Sequence, residues 1–191
     1  MIYLDDNIEG FDLHAALPML SEQRREQLHK FKHELEKKTC AMAYMLLRGG
    51  LRQEYGILKP PQFCYNEHGK PHIQGRPDIH FNLSHCNVGV ICALSHCPVD
   101  IDIESINEYD DSLANYSMNA QELQLINAAE HPNVAFTCLW TMKEAVLKWK
   151  GCGINDNIKD VLKGVTGIET VVNENKGYVY SLYMGKTSEG V

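Results

Sequence analysis

Residues 99–104 alternate apolar side chains with carboxylates, in the order Val-Asp-Ile-Asp-Ile-Glu. Successive side chains of a β-strand point to opposite faces, so as a strand this segment places Asp100, Asp102 and Glu104 on one face, about 6.6 Å apart. Folded proteins rarely gather carboxylates in this way unless a positive charge compensates them. The pattern therefore predicts either a solvated strand face or a site for a cation.

A second charged cluster follows at residues 143–148, Lys-Glu-Ala-Val-Leu-Lys. In a helix, Glu144 and Lys148 stand one turn apart and share a face. With Asp102 and Glu104, Glu144 would supply the hard oxygen ligands that Mg²⁺ prefers, and magnesium usually shares its coordination with substrate phosphates. A plain surface ion pair between Glu144 and Lys148, worth a few tenths of a kcal/mol, is the competing interpretation.

The net charge of −7 is unevenly distributed along the 191 residues. Between Arg76 and Lys143 there is no Lys or Arg, whereas nine Asp and Glu residues occupy the same stretch. Such a stretch repels phosphate unless a cation intervenes, and it lacks the basic stripe that nucleic-acid binding requires. Residues 21–38 are the exception, with six Lys and Arg against four Glu, and are a candidate surface for an anionic ligand.

The composition, 44% hydrophobic and 23% charged, is typical of a globular protein. The N-terminus has no basic segment followed by an apolar one, and the longest apolar run, residues 88–94, is too short to span a bilayer. We therefore expect a cytoplasmic protein without a membrane partner.

Seven cysteines occur without a Cys-x-x-Cys pair, which favours reduced, mostly buried thiols. One group, His85 with Cys86, Cys92 and Cys97, raises an alternative, a zinc-stabilised interaction protein. Its spacing matches no common zinc finger or ribbon, so zinc is the weaker hypothesis.

The order of periodic segments predicts an α+β fold. One helix is predicted to begin at Ser21. Three more are predicted to span 34–54, 120–130 and 134–149, and the glycines at 151 and 153 are expected to terminate the last of them. Strands are predicted at 79–83, 88–94, 99–104, 165–173 and 177–184, and the first three are expected to form an antiparallel meander. Helices then strands occur twice, which predicts two similar halves, 1–106 and 107–191, each a small antiparallel sheet packed with helices. A polar segment at 107–114 is the expected boundary.

Two further positions have the chemistry for phosphate contact. His85, at a predicted strand end, is suited to donate to a phosphate or to act as a base, although a turn histidine without a role is equally common. Ser84 and His85 do not form a nucleophile and its base, because adjacent strand residues point apart and no Gly-x-Ser-x-Gly elbow surrounds them. Lys70, between Gly69 and Pro71, is expected on a turn that presents its ammonium to an anion or simply to solvent.

Together these segments resemble the 4′-phosphopantetheinyl transferases of the type that activates surfactin synthetase. The motifs occur in the family's order: Gly69-Lys70-Pro71, Phe81-Asn-Leu-Ser84-His85, residues 99–104, and Trp140-Thr-Met-Lys143-Glu144-Ala-Val-Leu-Lys148 continuing into Lys150-Gly-Cys-Gly153-Ile. The segment from Ser21 to Arg48 is similar as well. Each motif alone is weak evidence, but their joint order and spacing over residues 20–155 is specific.

The resemblance implies transfer of the phosphopantetheine arm of coenzyme A to a serine of an apo acyl or peptidyl carrier protein, with release of 3′,5′-ADP. It also implies a monomeric pseudo-dimer of two α+β halves, with coenzyme A as the substrate in the cleft between them and Mg²⁺ as the cofactor. A degenerate relative that binds coenzyme A or a carrier protein without catalysis is the alternative hypothesis.

Carried onto this chain, the resemblance assigns Asp102, Glu104 and Glu144 to Mg²⁺. It assigns Lys148 and His85 to the phosphates. Glu144, Lys148 and His85 are thereby the expected catalytic residues, with Glu144 as the candidate base for the serine proton. The further residues expected to contact the coenzyme are Arg24, Lys37, Lys38, Lys70, Pro71 and Ser84.

Four positions depart from the family pattern. Asp100 stands where a glycine is usual, and Ser105 where a basic residue is usual. Asn87 replaces a glycine and Thr39 a basic residue. Asp100 is either a fourth metal ligand or a charge that weakens coenzyme binding. No departure removes an expected metal ligand, so we expect activity.

Overall fold

The computed structural model describes residues 1–67, 69–151 and 158–185, and its contacts divide the chain into two units, Met1–Cys97 and Pro98–Val191. Each unit contains helices and a small antiparallel sheet, which confirms the α+β class. Part of the expected glycine-rich end of the last long helix, including Gly153, lies outside the described residues. None of the described helices has the length and apolar character that a membrane span requires.

The first unit is organised around a helix of 22 residues. Its strands are β1 (Ile2–Asp5), β2 (Phe63–Tyr65), β3 (Pro71–Ile73), β4 (His80–His85) and β5 (Val90–Ser95). Its helices are α1 (Leu13–Ala16), which runs into a 3₁₀ turn at Leu17–Met19, α2 (Glu22–Leu28) and α3 (Glu34–Tyr55). Ser21 starts α2 as predicted, because its hydroxyl accepts a hydrogen bond from the Arg24 N–H at 3.2 Å.

Strand β5 lies at the centre of the first sheet, between β1 and β4, and both pairings are antiparallel. Helix α3 packs on this sheet, and its Leu51 shares one buried cluster with Phe81 and Leu94. The helix approaches closely because Gly50 faces the sheet, where any side chain would collide with Leu94 and Tyr3. Strands β2 and β3 form a separate hairpin.

The second unit is organised around a helix of 19 residues. Its strands are β6 (Asp100–Ser105), β7 (Ile168–Asn173) and β8 (Tyr178–Tyr183), and its helices are α4 (Asp111–Ser117), α5 (Ala120–Ala128) and α6 (Pro132–Lys150), with a 3₁₀ turn at Ile158–Asp160. Strand β8 lies between β6 and β7, antiparallel to both, and α6 packs on all three. Pro132 occupies the first turn of α6, and Gly151 ends the helix with a φ of 68°.

The two units share one topology. In each, a first strand is followed by short helices, one long helix and a closing antiparallel hairpin, and the first unit has the additional hairpin β2–β3 before the closing one. The first strand of each sheet pairs with the last, which gives the orders β1-β5-β4 and β6-β8-β7. This repeat supports the expectation of two similar halves. The contacts place the division after Cys97, so β6 belongs to the second unit, whereas the predicted division at residue 106 assigned this strand to the first half.

The predicted meander is correct for its first hairpin and wrong for its third strand, because β6 pairs with β8 rather than with β5. The turn at residues 95–98 therefore connects two sheets. The sequence pattern also misses β1, α1, β2 and β3, which are only three or four residues long, and α4, which begins in the acidic segment expected as a boundary. The other predicted helices and strands are confirmed to within three residues at each end.

Cys92 lies fully buried in β5, and burial raises the pKa of its thiol to about 12. The thiolate is the reactive form, so Cys92 is expected to resist iodoacetamide at about pH 8 while the exposed Cys64 and Cys97 react. Peptide mass spectrometry before and after denaturation measures the modification of each site. Reaction of Cys92 in the folded protein as fast as that of Cys64 would contradict the burial of the Cys92 side chain.

Candidate active site

Helix α6 directs one stripe of polar side chains toward the second sheet. Glu144 and Lys148 follow Thr141 by three and seven residues, so the three side chains share a face of the helix. The Thr141 hydroxyl contacts β8, 2.8 Å from Ser181 Oγ, and Lys148 Nζ contacts β6, 2.6 Å from Asp102 Oδ1. The stripe therefore faces the sheet, and Glu144 lies between its two contact points.

The Asp102 carboxylate is almost fully buried, and an ammonium group from α6 compensates its charge. The Asp102 side chain is 4% exposed and the Lys148 side chain 30%. Lys148 Nζ also lies 3.5 Å from the backbone carbonyl oxygen of Ile101. A buried carboxylate is costly unless it is paired, so this contact accounts for an acidic residue inside the fold.

Glu104 and Glu144 complete a cluster of three carboxyl groups, and both are half-buried. Burial, followed by the charges of Asp102 and Glu144, raises the pKa of Glu104 to about 7, although Lys148 and a hydrogen bond with Trp140 act in the opposite direction. Burial and the charge of Asp102 likewise raise the pKa of Glu144. The negative charges of the carboxyl groups therefore disfavour one another's ionisation.

The strand register explains why these carboxylates meet the helix. Asp102 pairs with Ser181 of β8, whose hydroxyl contacts α6, and paired residues point to the same face of a sheet. Asp100 and Glu104, two residues to either side, share that face, and Asp100 is completely buried. The alternation in residues 99–104 thus forms strand β6, with its acidic side toward α6.

The first unit contains the other residues predicted to contact the coenzyme. Gly69, with a φ of 78°, lies in the turn between β2 and β3, and Lys70 and Pro71 follow it. This confirms the turn expected from the sequence. Ser84 is buried and His85 is exposed, and together they end β4. Adjacent strand residues point to opposite faces, so these two side chains leave the sheet in opposite directions.

The guanidinium of Arg24 is engaged within the first unit. It lies over the rings of Tyr44 (5.3 Å) and Phe63 (5.5 Å) and donates to Cys40 Sγ at 3.3 Å. These contacts hold the Arg24 side chain in place and direct one of its N–H groups toward the interior of the first unit. The sequence does not predict this direction. The two remaining predicted contacts, half-buried at the start of α3, are Lys37 and Lys38.

Comparison with known proteins identifies the chain's relatives. A family model described as the 4′-phosphopantetheinyl transferase superfamily matches residues 98–188, which include β6 and α6. A 4′-phosphopantetheinyl transferase of Bacillus subtilis is 30% identical over 159 residues, which cover 81% of this chain and 70% of that protein. The chain belongs to the 4′-phosphopantetheinyl transferase superfamily.

Two more relatives of this chain are also named 4′-phosphopantetheinyl transferases. The protein of Bacillus pumilus is 32% identical over 80% of this chain and 66% of its own length. That of Aneurinibacillus migulanus is 37% identical over 67% of this chain and 54% of its own length. The family resemblance given by the motifs is therefore confirmed, and the protein is an enzyme of the transferase class.

The donor chemistry of the transferase suits Mg²⁺, although among its described residues no group of three His, Cys, Asp or Glu side chains is arranged to hold a metal ion. Asp102, Glu104 and Glu144 provide hard oxygen donors, and a divalent cation bound there would offset the repulsion between them. Their assignment to Mg²⁺ is a proposal. The zinc alternative finds no support in the described part of the chain, where Cys92 is buried within β5 and Cys97 is exposed beyond its end.

Trp140 belongs to the transferase motif, yet the sequence gives it no role. In the structure its side chain makes a hydrogen bond with Glu104. The indole ring stacks on Phe136 (6.2 Å between centroids), which stacks on Tyr109 (4.5 Å). This aromatic row fixes the indole beside the carboxylate. Its signal in the sequence is the spacing of Phe136 and Trp140, four residues apart on one helix.

Lys143 precedes Glu144 in the motif but is directed away from the acidic cluster. Its side chain is fully buried, and Nζ lies 2.8 Å from Glu122 Oε2 of α5 and 2.9 Å from the carbonyl oxygen of Ile158, to which it donates. Burial lowers the pKa of Lys143, and the hydrogen bond with Glu122 opposes that effect. Lys143 therefore ties α6 to α5 and to the 3₁₀ turn of the same unit.

Proposed function

We propose that this enzyme transfers the 4′-phosphopantetheine arm of coenzyme A to a serine of an apo acyl or peptidyl carrier protein and releases 3′,5′-ADP, as a Mg²⁺-dependent holo-[acyl-carrier-protein] synthase. The observation that carries the proposal is the acidic cluster of β6 and α6 beside Lys148, within the segment that the family model matches. Three carboxyl groups would supply oxygen ligands to a divalent cation, and an ammonium group would add positive charge for a diphosphate.

In this proposal Asp102, Glu104 and Glu144 would hold Mg²⁺, which when bound would neutralise the diphosphate and the charge that develops on the leaving phosphate. Lys148 lies on the same helix face as Glu144 and is partly exposed, so it is placed to donate to a phosphate oxygen. The acid-rich stretch between Arg76 and Lys143 can then accommodate a polyanion.

The chemical step exchanges one P–O bond for another. The serine oxygen attacks the β-phosphorus of coenzyme A and forms the new bond, while the bond to the bridging oxygen breaks and that oxygen leaves with 3′,5′-ADP. The serine proton passes to a carboxylate, and we assign this role to Glu144. Asp102 is less suitable as the base, because it is almost fully buried and paired with Lys148.

Residues of the first unit complete the proposed binding of the coenzyme. The exposed His85 and the buried Ser84 are proposed phosphate contacts, and Lys70 with Pro71 is proposed to lie by the adenine nucleotide. The proposed contacts to the 3′-phosphate region are Arg24, Lys37 and Lys38. We also propose that the enzyme acts as a monomer in the cytoplasm, where reducing conditions keep cysteines as thiols.

One observation favours a second candidate function, a module that binds coenzyme A or a carrier protein without catalysis. Asp100 is completely buried on the same strand face as Asp102, at a position where the family resemblance implies a glycine. A negative charge at this position would weaken the binding of a diphosphate.

A transfer assay tests the proposed function. Purified protein, Mg²⁺ and coenzyme A are incubated with a panel of apo carrier proteins, and we expect at least one carrier to gain the mass of one phosphopantetheine. A chelator should abolish the gain. Calorimetric binding of coenzyme A without transfer to any carrier would support the binding module. A folded protein that neither binds nor transfers would refute both.

A further inference from the structure

Three hydroxyl groups connect α6 to the second sheet at the level of the acidic cluster. Thr141 Oγ1 of α6 lies 2.8 Å from Ser181 Oγ of β8, and Ser181 Oγ lies 2.8 Å from Thr170 Oγ1 of β7. Thr141 and Ser181 are completely buried. We refer to Thr141, Ser181 and Thr170 as the hydroxyl bridge.

The proton count gives the hydroxyl bridge one direction. Thr141 Oγ1 lies 3.0 Å from the carbonyl oxygen of Cys138, which can only accept, so the single Thr141 proton is donated there. Ser181 must then donate its proton to Thr141, and Thr170 must donate to Ser181. Each hydroxyl thereby donates one hydrogen bond. The hydrogen bonds run in one direction, from Thr170 of β7 through Ser181 of β8 to Thr141 of α6.

The hydroxyl bridge adjoins the proposed metal ligands on both sides. In the sheet, Ser181 pairs directly with Asp102 of β6, so the two side chains leave the same face next to each other. On the helix, Thr141 lies three residues before Glu144 on the stripe that faces the sheet. A shift of α6 along or away from the sheet would therefore change the distance between Glu144 and the strand carboxylates.

We propose that the hydroxyl bridge is a positioning element of the metal site. It fixes the position of α6 on the sheet, and with it the distance from Glu144 of the helix to Asp102 and Glu104 of the strand, the three proposed ligands of one Mg²⁺. None of its three hydroxyls is itself a ligand. This inference rests on the proposed function. Loss of a group that hydrogen-bonds directly to a metal ligand typically weakens metal binding by about 10–100-fold, and because the hydroxyl bridge acts on the ligands only through the position of α6, we expect an effect at the lower end of that range.

The chain offers a matched control on the same helix. Thr137 is also a buried threonine of α6, and its hydroxyl donates to the carbonyl oxygen of Asn133 at 2.8 Å, within the helix. Thr137→Val and Thr141→Val both remove a hydroxyl that bonds a helix carbonyl, and both keep the shape of the side chain. The two changes differ in that the Thr141 hydroxyl also reaches Ser181.

Mn²⁺ titration followed by electron paramagnetic resonance, with coenzyme A and without carrier protein, measures the metal site independently of transfer. We expect Thr141→Val and Ser181→Ala to weaken Mn²⁺ binding about tenfold, and to raise by a similar factor the Mg²⁺ concentration that gives half-maximal transfer. At saturating Mg²⁺ the transfer rate should recover. Thr137→Val should leave both values within about twofold of the unmodified enzyme, and Thr141→Ser should restore most of the Mn²⁺ affinity because it keeps the hydroxyl.

Unchanged Mn²⁺ affinity in folded Thr141→Val and Ser181→Ala would overturn the proposal, as would an equal loss in Thr137→Val. If Thr141→Val does not fold, the Mn²⁺ affinities of Ser181→Ala and Thr170→Val test the proposal in its place. Mn²⁺ binding by the unmodified protein without transfer to any carrier would refute the proposed function, while the ratio of affinities among the variants would still test the hydroxyl bridge.

Discussion

Replacement of Glu144 by Gln is expected to lower the rate of phosphopantetheine transfer at least about 100-fold while the protein remains folded. The amide keeps the size of the side chain and one neutral oxygen, but it removes the negative charge that a divalent cation requires from its ligand and the group assigned to take the serine proton. The effect should be larger than that of any change in the hydroxyl bridge, because a ligand is lost rather than displaced.

Transfer is measured as the mass gain of the carrier over time, at several Mg²⁺ concentrations. Excess Mg²⁺ should not restore Glu144→Gln, in contrast to the variants of the hydroxyl bridge. Glu169→Gln is the matched control, since Glu169 is an exposed glutamate on β7 of the same unit. Full activity of Glu144→Gln would refute both roles assigned to this residue.

The same variant separates loss of chemistry from loss of folding. Glu144 is half-buried and its carboxyl group is repelled by that of Asp102. Removing one of the repelling charges should leave the thermal stability of the metal-free protein unchanged or slightly higher. A large drop in melting temperature would instead show that Glu144 serves the fold.

The elements that carry the candidate site could be predicted from the sequence because each has a strong local period. The alternation of residues 99–104 defines β6, and the apolar spacing together with Gly151 defines α6. These two patterns place Asp102 and Glu104 on one strand face and Glu144 and Lys148 on one helix face. The local signal is sufficient because both arrangements depend only on neighbouring residues.

Pairings between distant segments could not be predicted in the same way. Strand β6 pairs with β8, which begins 73 residues after β6 ends, and no local signal distinguishes this partner from the nearer β5. The position of Ser181 beside Asp102 follows from that register and was therefore inaccessible. The inward direction of Arg24 depends likewise on Tyr44 and Phe63, which only the folded unit brings together.

Lys143→Met is expected to lower the free energy of unfolding by about 3–5 kcal/mol, which is the usual cost of removing one partner of a buried ion pair. Methionine can follow the path of the lysine stem, so the loss arises from the charge. The Glu122 carboxylate, 9% exposed, would keep its hydrogen bond from the Asn119 N–H at 2.8 Å but lose its cation. The carbonyl oxygens of Ile158 and Lys159 would lose their ammonium donor as well.

The reverse change is expected to cost less. In Glu122→Gln, Lys143 keeps the carbonyl oxygens of Ile158 and Lys159 at 2.9 and 3.3 Å, and the amide oxygen of Gln can still accept from the ammonium. We expect a loss of about 1.5–3 kcal/mol, the usual contribution of one hydrogen bond to a charged group. Urea denaturation of both variants and of the double variant measures these free energies.

The double variant shows whether the stability lost in Lys143→Met comes mainly from the unpaired charge or from altered packing. With Lys143→Met and Glu122→Gln combined, no ion remains buried without a partner, so the double variant should be more stable than Lys143→Met alone by about 1–3 kcal/mol. Strict additivity of the two losses would instead mean that the stem of Lys143 matters through its packing and that the pair is not coupled. A Lys143→Met protein within about 1 kcal/mol of the unmodified enzyme would show that the tie between α6, α5 and the 3₁₀ turn contributes little to the second unit.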